Sequence, residues 1–175
     1  MNLERTVIAL GFFDGVHRGH GALLQKTVQR AGELGAIPAV FTFDRPPKEV
    51  VTGRPMPLIN SPEDRADLAR RIYGIQQVIL APFDEAMMTM PWQDFITELL
   101  VKRHGAVHLV AGHDYHFGYK NQGDPRLLQE KCREAATSSP RWSWRALPSA
   151  LPTSARWWRP GTWSGRRCSW AIATA

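Results

Sequence analysis

The decapeptide Gly11–His20, GFFDGVHRGH, sits between an apolar run and an amphipathic one, and that placement leaves few architectures open. Thr6–Leu10 (TVIAL) is apolar and β-branched without alternation, the pattern of a strand buried on both faces. Within Gly21–Leu34, Leu23, Leu24, Thr27, Val28, Ala31 and Leu34 recur at helical spacing, and Gly35 is placed to end the helix. Ile37–Phe43 (IPAVFTF) supplies a second buried strand. Strand, helix and strand in that order define a parallel pair joined by a right-handed crossover. The connection between the first strand and the helix is Gly-rich and carries His17 and His20 where the helix opens. Backbone N–H groups at a helix N-terminus attract anions, and glycine lets the chain approach them closely.

The alternation continues. Asp44–Pro57 is rich in Pro and charge and reads as a loop, and Ser61-Pro62 reads as an N-cap followed by Pro at the first helical position. That helix runs through Tyr73, with Leu68 and Ile72 on its apolar face. Gln77–Ala81 (QVILA) is a third strand, and Trp92–Val101 a helix with Phe95, Ile96, Leu99 and Leu100 inward. Ala106–Ala111 (AVHLVA) is a fourth strand, followed by the Gly-punctuated loop Gly112–Gly123 and a helix from Pro125. The expected fold is a doubly wound α/β parallel sheet, whose ligands bind beyond the carboxyl ends of the strands. Gly11–His20, Phe43–Glu49 and Gly112–Gly123 all fall at that edge. Phe41 and Phe43 are expected in the core.

Charge separates two parts of the chain. Through Glu134 there are 16 Lys/Arg against 16 Asp/Glu, so the net charge of +6 resides in the six arginines after it (Arg141, Arg145, Arg156, Arg159, Arg166 and Arg167). Six of the seven Trp lie there too. We therefore read 1–134 as the domain and 135–175 as a disordered tail. The even balance of the first part argues against a nucleic-acid partner. Apolar runs fall well short of the roughly 20 residues of a membrane span, the N-terminus lacks a signal-peptide pattern, and Cys132 and Cys168 form neither a disulfide framework nor a metal cluster. A cytoplasmic protein without membrane partners is expected.

The turn lacks the G-x-G-x-x-G of dinucleotide folds and the G-x-x-x-x-G-K-[ST] of P-loops. Two imidazoles at a helix N-terminus can instead bond the phosphate oxygens of a nucleotide and stabilise charge as pyrophosphate leaves. His104, His108, His113 and His116 form no ligand pattern, and no metal site is expected.

GFFDGVHRGH, VFTFDRPPKEV and VAGHDYHFGYKNQGD, in that order and spacing, resemble the three motifs of the FMN adenylyltransferase module of bacterial bifunctional riboflavin kinase/FAD synthetases, over about Thr6 to Glu134. The resemblance implies a Rossmann-like nucleotidylyltransferase fold making FAD and pyrophosphate from FMN and ATP with Mg²⁺. It implies that His17 and His20 act on the ATP phosphates as the catalytic pair. Gly11, Phe13, Asp14, Gly15 and Gly19 shape the ATP-binding turn, and Asp114 and Phe117 line the flavin site. Plain alternatives stand beside these roles: Phe117 as core, Asp114 as a loop cap. Asn121 stands where the family often has a basic residue. Two other functions compete: an H-x-G-H nucleotidylyltransferase with another phosphate acceptor, and a basic nucleic-acid binder acting through the tail.

The tail departs from the family, which continues with a strand, an S-S-T-x-I-R motif and a further helix. Reading the third base of each codon with the first two of the next, Ala150–Ile172 permits STHIRALVEAGDMERAAVLLGH, the missing family segment. The tail is therefore expected to be a frameshifted translation that supplies neither the lost strand nor its share of the ATP site. No riboflavin kinase activity is expected from this chain.

Overall fold

The computed structural model describes residues 4–138 and 171–173. Five strands form one parallel sheet in the order β3-β2-β1-β4-β5: β1 Thr6–Leu10, β2 Ile37–Phe43, β3 Gln77–Ala81, β4 Ala106–Gly112 and β5 Ala171–Ala173. β1 lies between β2 and β4, with Leu10 opposite both Phe41 and Ala111. The chain winds outward from β1 in one direction through β2 and β3, then returns to β4 on the other side. That reversal makes the carboxyl ends of β1 and β4 the topological switch point.

Every residue of β1 is buried, because the sheet is covered on both faces. Val7 and Ala9 face α1 (Arg18–Leu34) and join Leu23, Leu24 and Ala31. Ile8 and Leu10 face the opposite layer, with Phe95, Ile96, Leu99 and Leu100. Phe41 is 1% exposed at the centre of that layer, edge-on to Phe95 at 5.5 Å, and Phe43 is also buried; both are core, as expected. Aromatic pairs in this geometry add to the area they bury.

The three strands β1, β2 and β3 coincide with the apolar runs, and α3 (Pro62–Tyr73) begins at Ser61, whose hydroxyl accepts from the Asp64 N–H at 3.0 Å. Four details differ from expectation. α1 begins at Arg18, a turn earlier than the apolar repeat, because His17 caps it. The Pro-rich loop contains a short helix, α2 (Pro47–Thr52), which buries nothing and so leaves no apolar period to read. α3 turns Arg65 and Ala69 inward and leaves Ile72 64% exposed, because a cation with backbone partners takes the place of the apolar stripe. After the short α4 (Glu85–Thr89) and α5 (Trp92–Asp94), Phe95–Arg103 is π-helical; its inward residues are nevertheless the four expected.

A 3-10 turn at Tyr119–Asn121 precedes α6 (Pro125–Ser138), which continues past Glu134. Most of the expected tail lies outside the described residues. Ala171–Ala173 does not: it pairs in parallel with β4, Ile172 opposite Ala111, which corrects the expectation that this part provides no strand. The open edge of β4 offers unpaired N–H and C=O groups, and a short apolar segment without proline can take them.

Candidate active site

Because all strands are parallel, the loops after β1, β2 and β4 leave from one edge. The first two are tied together: Thr42 Oγ1 donates to the Phe12 carbonyl at 2.9 Å, and the Gly11 N–H donates to the Phe41 carbonyl at 3.3 Å. Phe13, Gly15 and Val16 all have positive φ (58°, 69° and 25°), so the turn is tightly wound in a region that L side chains disfavour.

Contacts outside the turn hold it there. The Asp14 carboxylate accepts from the backbone N–H groups of Ile59 (3.1 Å) and Asn60 (3.0 Å). Asn60 Oδ1 in turn accepts from the Gly15 N–H at 3.0 Å. Gly15 is favoured by its φ; a Cβ there would lie 2.8 Å from Ile59 Cδ1, the end of an exposed side chain that can move aside. Phe13 is 3% exposed with its ring 5.2 Å from His20, and a Cβ on Gly11 would press on that ring at 3.0 Å.

His17 is the N-cap of α1: its Nδ1 accepts from the His20 N–H at 3.4 Å. An Nδ1 used as acceptor leaves the neutral ring's proton on Nε2, free to donate. The two imidazoles stack at 3.7 Å with planes 21° apart. Gly19 lies under His17, where a Cβ would be 3.2 Å from the ring. The first turn of α1 carries no acidic side chain, so the positive end of the helix is open to an external anion. Burial, then the neighbouring His17, push the His20 pKa down to about 4, while Asp114 and Asp14 oppose the shift. His20 is therefore neutral at pH 7, and its Nδ1 is buried without a hydrogen-bond partner.

The β4 loop brings Asp114, exposed, close enough to act on His20 electrostatically. Its backbone carbonyl lies 2.9 Å from His116 Nδ1. Phe117 lies elsewhere: it is 5% exposed in the opposite layer, 5.4 Å from Phe95 and 5.7 Å from Tyr115, and exchanges backbone hydrogen bonds with Gly123 at 3.0 and 2.8 Å. The structure thus gathers Gly11, Phe13, Asp14, Gly15, His17, Gly19, His20 and Asp114, while Phe117 anchors the loop from the core side. Asn121 has positive φ, 56°, in the same loop.

Sequence reasoning missed Arg65 and Asn60, both of which touch this turn. Their signal lies in contacts 45 or more residues apart, which no local motif carries. Two cavities, of about 250 Å³ beside Trp92 and Leu127 and about 450 Å³ beside Lys48 and Arg54, lie away from the histidines. Among the described residues no three His, Cys, Asp or Glu cluster as metal ligands, and Asp14 is already engaged with amides. No helix among them is long and apolar enough to cross a membrane.

A doubly wound parallel sheet whose switch point carries an H-x-G-H helix start defines a Rossmann-like domain of the nucleotidylyltransferase type. The FAD synthetase family model matches residues 1–141, and the chain belongs to that family. It is 35% identical over 128 residues to the bifunctional riboflavin kinase/FMN adenylyltransferase of Pseudomonas fluorescens, covering 70% of this chain and 39% of that protein. It is 37% identical over 130 residues to the enzyme of that name from Escherichia coli K12, covering 73% and 41%. A putative bifunctional riboflavin kinase/FMN adenylyltransferase of Geobacillus thermodenitrificans is 33% identical over 129 residues, covering 74% and 69%. The chain thus spans about 40% of the length of the first and second of these relatives. A solved structure described as a macrolide-efflux protein from Streptococcus pneumoniae superposes with a TM-score of 0.65 at 26% identity, over 75% of this chain and 44% of that one.

Proposed function

We propose that this chain descends from, and carries the first-motif site of, an enzyme of FAD biosynthesis acting in the cytoplasm: an FMN adenylyltransferase that joins ATP and FMN. The observation that carries the reading is the stacked His17–His20 pair at the N-terminus of α1, beside Asp114 of the β4 loop. An FMN phosphate oxygen attacks the α-phosphorus of ATP, the bond to the β-phosphate oxygen breaks, and pyrophosphate leaves. His17, through Nε2–H, and His20, as a neutral imidazole, bond the phosphate oxygens as charge moves onto the leaving group. The backbone N–H groups of α1 hold the same oxygens. Magnesium enters as part of the Mg-ATP substrate. The β4 loop forms the flavin side, with Asp114 as the polar group at its edge and Phe117 fixing its shape.

On this reading Ala135–Ala175 is a segment translated out of frame, and the ATP site lacks the part that segment would supply. A family match ending at residue 141, a few residues past the charge boundary, supports the reading. The excess positive charge lies only in that segment, so nucleic acid is not expected as a partner of the domain.

The test is FAD formation from Mg-ATP and FMN, followed by chromatography, for this chain and for one with the alternative frame restored. At most slight FAD is expected from the first and clear turnover from the second, lost again in His17→Ala and His20→Ala. A restored chain that makes no FAD and binds neither substrate overturns the reading. Robust turnover by the chain as it stands overturns the out-of-frame tail, as does a coding sequence whose shifted frame does not encode the family segment.

A further inference from the structure

One charged side chain lies in the interior with no direct ion pair among the described residues, although Asp14, Glu63 and Asp44 act on it electrostatically from farther away. Arg65 is 2% exposed, at the start of α3. Its Nη1 donates to the Phe12 carbonyl at 2.6 Å and to Thr42 Oγ1 at 3.1 Å, and its Nη2 donates to the Phe43 carbonyl at 3.0 Å. The guanidinium carbon lies 4.2 Å from the centre of the Phe12 ring. Arg65 makes no ion pair with any described carboxylate, and its buried Nε has no hydrogen-bond partner.

Burying a guanidinium against neutral carbonyls is a poor way to stabilise a fold. The charge loses its hydration, and a Met or Leu of similar volume would fill the space without that penalty. What the arginine does that an apolar side chain cannot is fix two backbone oxygens at once. Phe12 and Phe43 lie at the carboxyl ends of β1 and β2, and the forked guanidinium spans them rigidly. The residue after Phe12 is Phe13, whose φ of 58° is unfavourable for a side chain and must be held by its neighbours. Asp14 restrains the turn's far end through Ile59 and Asn60. Both restraints come from one stretch, residues 59–65, which flanks the start of α3.

We infer that Arg65 is a positioning residue for the nucleotide half of the site: by pinning the Phe12 and Phe43 carbonyls it holds the Phe13–Val16 turn in the conformation that delivers His17 and His20 to the phosphates. It touches neither reacting atom. Loss of the pin lets Phe13 relax from its left-handed conformation, and the histidines lose their common position. The hydrogen bonds of Arg65 go to residues 12, 42 and 43 and none to the β4 loop, which keeps its shape. The effect is therefore selective for nucleotide over flavin, which a general loss of stability cannot imitate.

This inference rests on the adenylyltransferase reading, so wild-type binding comes first. Calorimetric titration of the full chain with ATP and with FMN, in magnesium buffer, should show both; binding of neither overturns that reading and the inference with it. Arg65→Met should then weaken ATP binding about tenfold, the usual scale for lost hydrogen bonds to a charged group, and leave FMN affinity within about twofold. Arg65→Lys, which retains charge and reach to one carbonyl, should recover part of the ATP affinity. If Arg65→Met does not fold, Arg65→Lys decides, with a smaller loss confined to ATP. Unchanged ATP affinity, or equal losses on both ligands, overturns the positioning role while leaving the adenylyltransferase reading intact.

Discussion

His17 and His20 lie ring on ring at 3.7 Å, joined by a bond from the His20 N–H to His17 Nδ1. Burial first, and then repulsion from the neighbouring His17, hold the His20 pKa low, at about 4. Its folded pKa lies below the unfolded value of roughly 6.5. As pH falls below that value the unfolded chain takes up a proton that the folded chain refuses. Stability is then full above about pH 6.5 and declines towards pH 4. His108, fully buried and pushed down to about 3 by burial and then by Arg30 and Lys26, acts in the same direction over a longer range. Urea midpoints should therefore drop from pH 7.5 to pH 5, before most carboxylates titrate, and drop less in His20→Gln. Equal midpoints at the two pH values, or an unchanged slope in the variant, would contradict the buried-imidazole account.

Asp14 should be a structural member of the turn as well as a neighbour of the site. Its carboxylate receives the N–H groups of Ile59 and Asn60, which closes the segment before α3 onto the first motif. Bonds from backbone N–H to a charged acceptor contribute about 1.5–3 kcal/mol each at most, and Asp14 is only half-buried, so Asp14→Ala should cost about 1–3 kcal/mol. Asp14→Asn, which keeps one carbonyl oxygen as acceptor, should cost less. Hydrogen exchange at the Ile59 and Asn60 amides gives the local readout: both should speed up in Asp14→Ala and stay slower in Asp14→Asn. Unchanged exchange there would mean the carboxylate is not what holds the segment.

Phe95 connects the core to the flavin-side loop, with Phe41 on one side at 5.5 Å and Phe117 on the other at 5.4 Å. Truncating a buried phenylalanine to alanine removes transfer energy and leaves a cavity, about 3–5 kcal/mol together. Phe95→Ala should show that loss in chemical denaturation. It should also loosen the pair of backbone bonds between Phe117 and Gly123, seen as faster exchange at those two amides than at the amides of α1. Uniform acceleration across the chain would instead mean that Phe117 does not depend on Phe95.

What the sequence made readable follows from what generates a local signal. β1 and β2 are legible because strands buried on both faces must be continuous apolar runs, whereas β3, an edge strand with Leu80 43% exposed, is legible from its β-branched, apolar composition. α3 was readable from Ser61-Pro62, since capping chemistry is local. α2 and α4 were not, because neither buries a residue and so neither carries a period. The inward face of α3 misled, since Arg65 owes its burial to carbonyls that precede it by 22 residues or more. The π-helical Phe95–Arg103 kept its apolar residues inward while changing its backbone, a distinction the pattern cannot express. At the site, the histidines and glycines could be named from motif chemistry, and Asp114 and Phe117 only from the family resemblance. The clamp between Asp14 and Asn60 could not, being a product of the folded chain alone.

The glycines separate two kinds of constraint that sequence leaves merged. Gly35 and Gly118 both have positive φ, 57° and 75°. Around Gly35, which caps α1, a Cβ would meet nothing within 4 Å. At Gly118 it would lie 2.6–2.8 Å from the Trp92 Cβ and backbone, which have no freedom to retreat. Gly35→Ala should therefore cost only the left-handed strain, about 1–2 kcal/mol, with the site undisturbed. Gly118→Ala adds a steric clash to the same strain, so its loss should exceed that of Gly35→Ala by about 1–3 kcal/mol, the scale of overpacking. It should also break the bond from the Tyr119 N–H to the Met90 carbonyl at 2.8 Å, next in the chain. Paired denaturation curves decide the matter. Equal losses would show that the loop yields where the geometry says it cannot, and that the β4 loop is not fixed by its contact with α5.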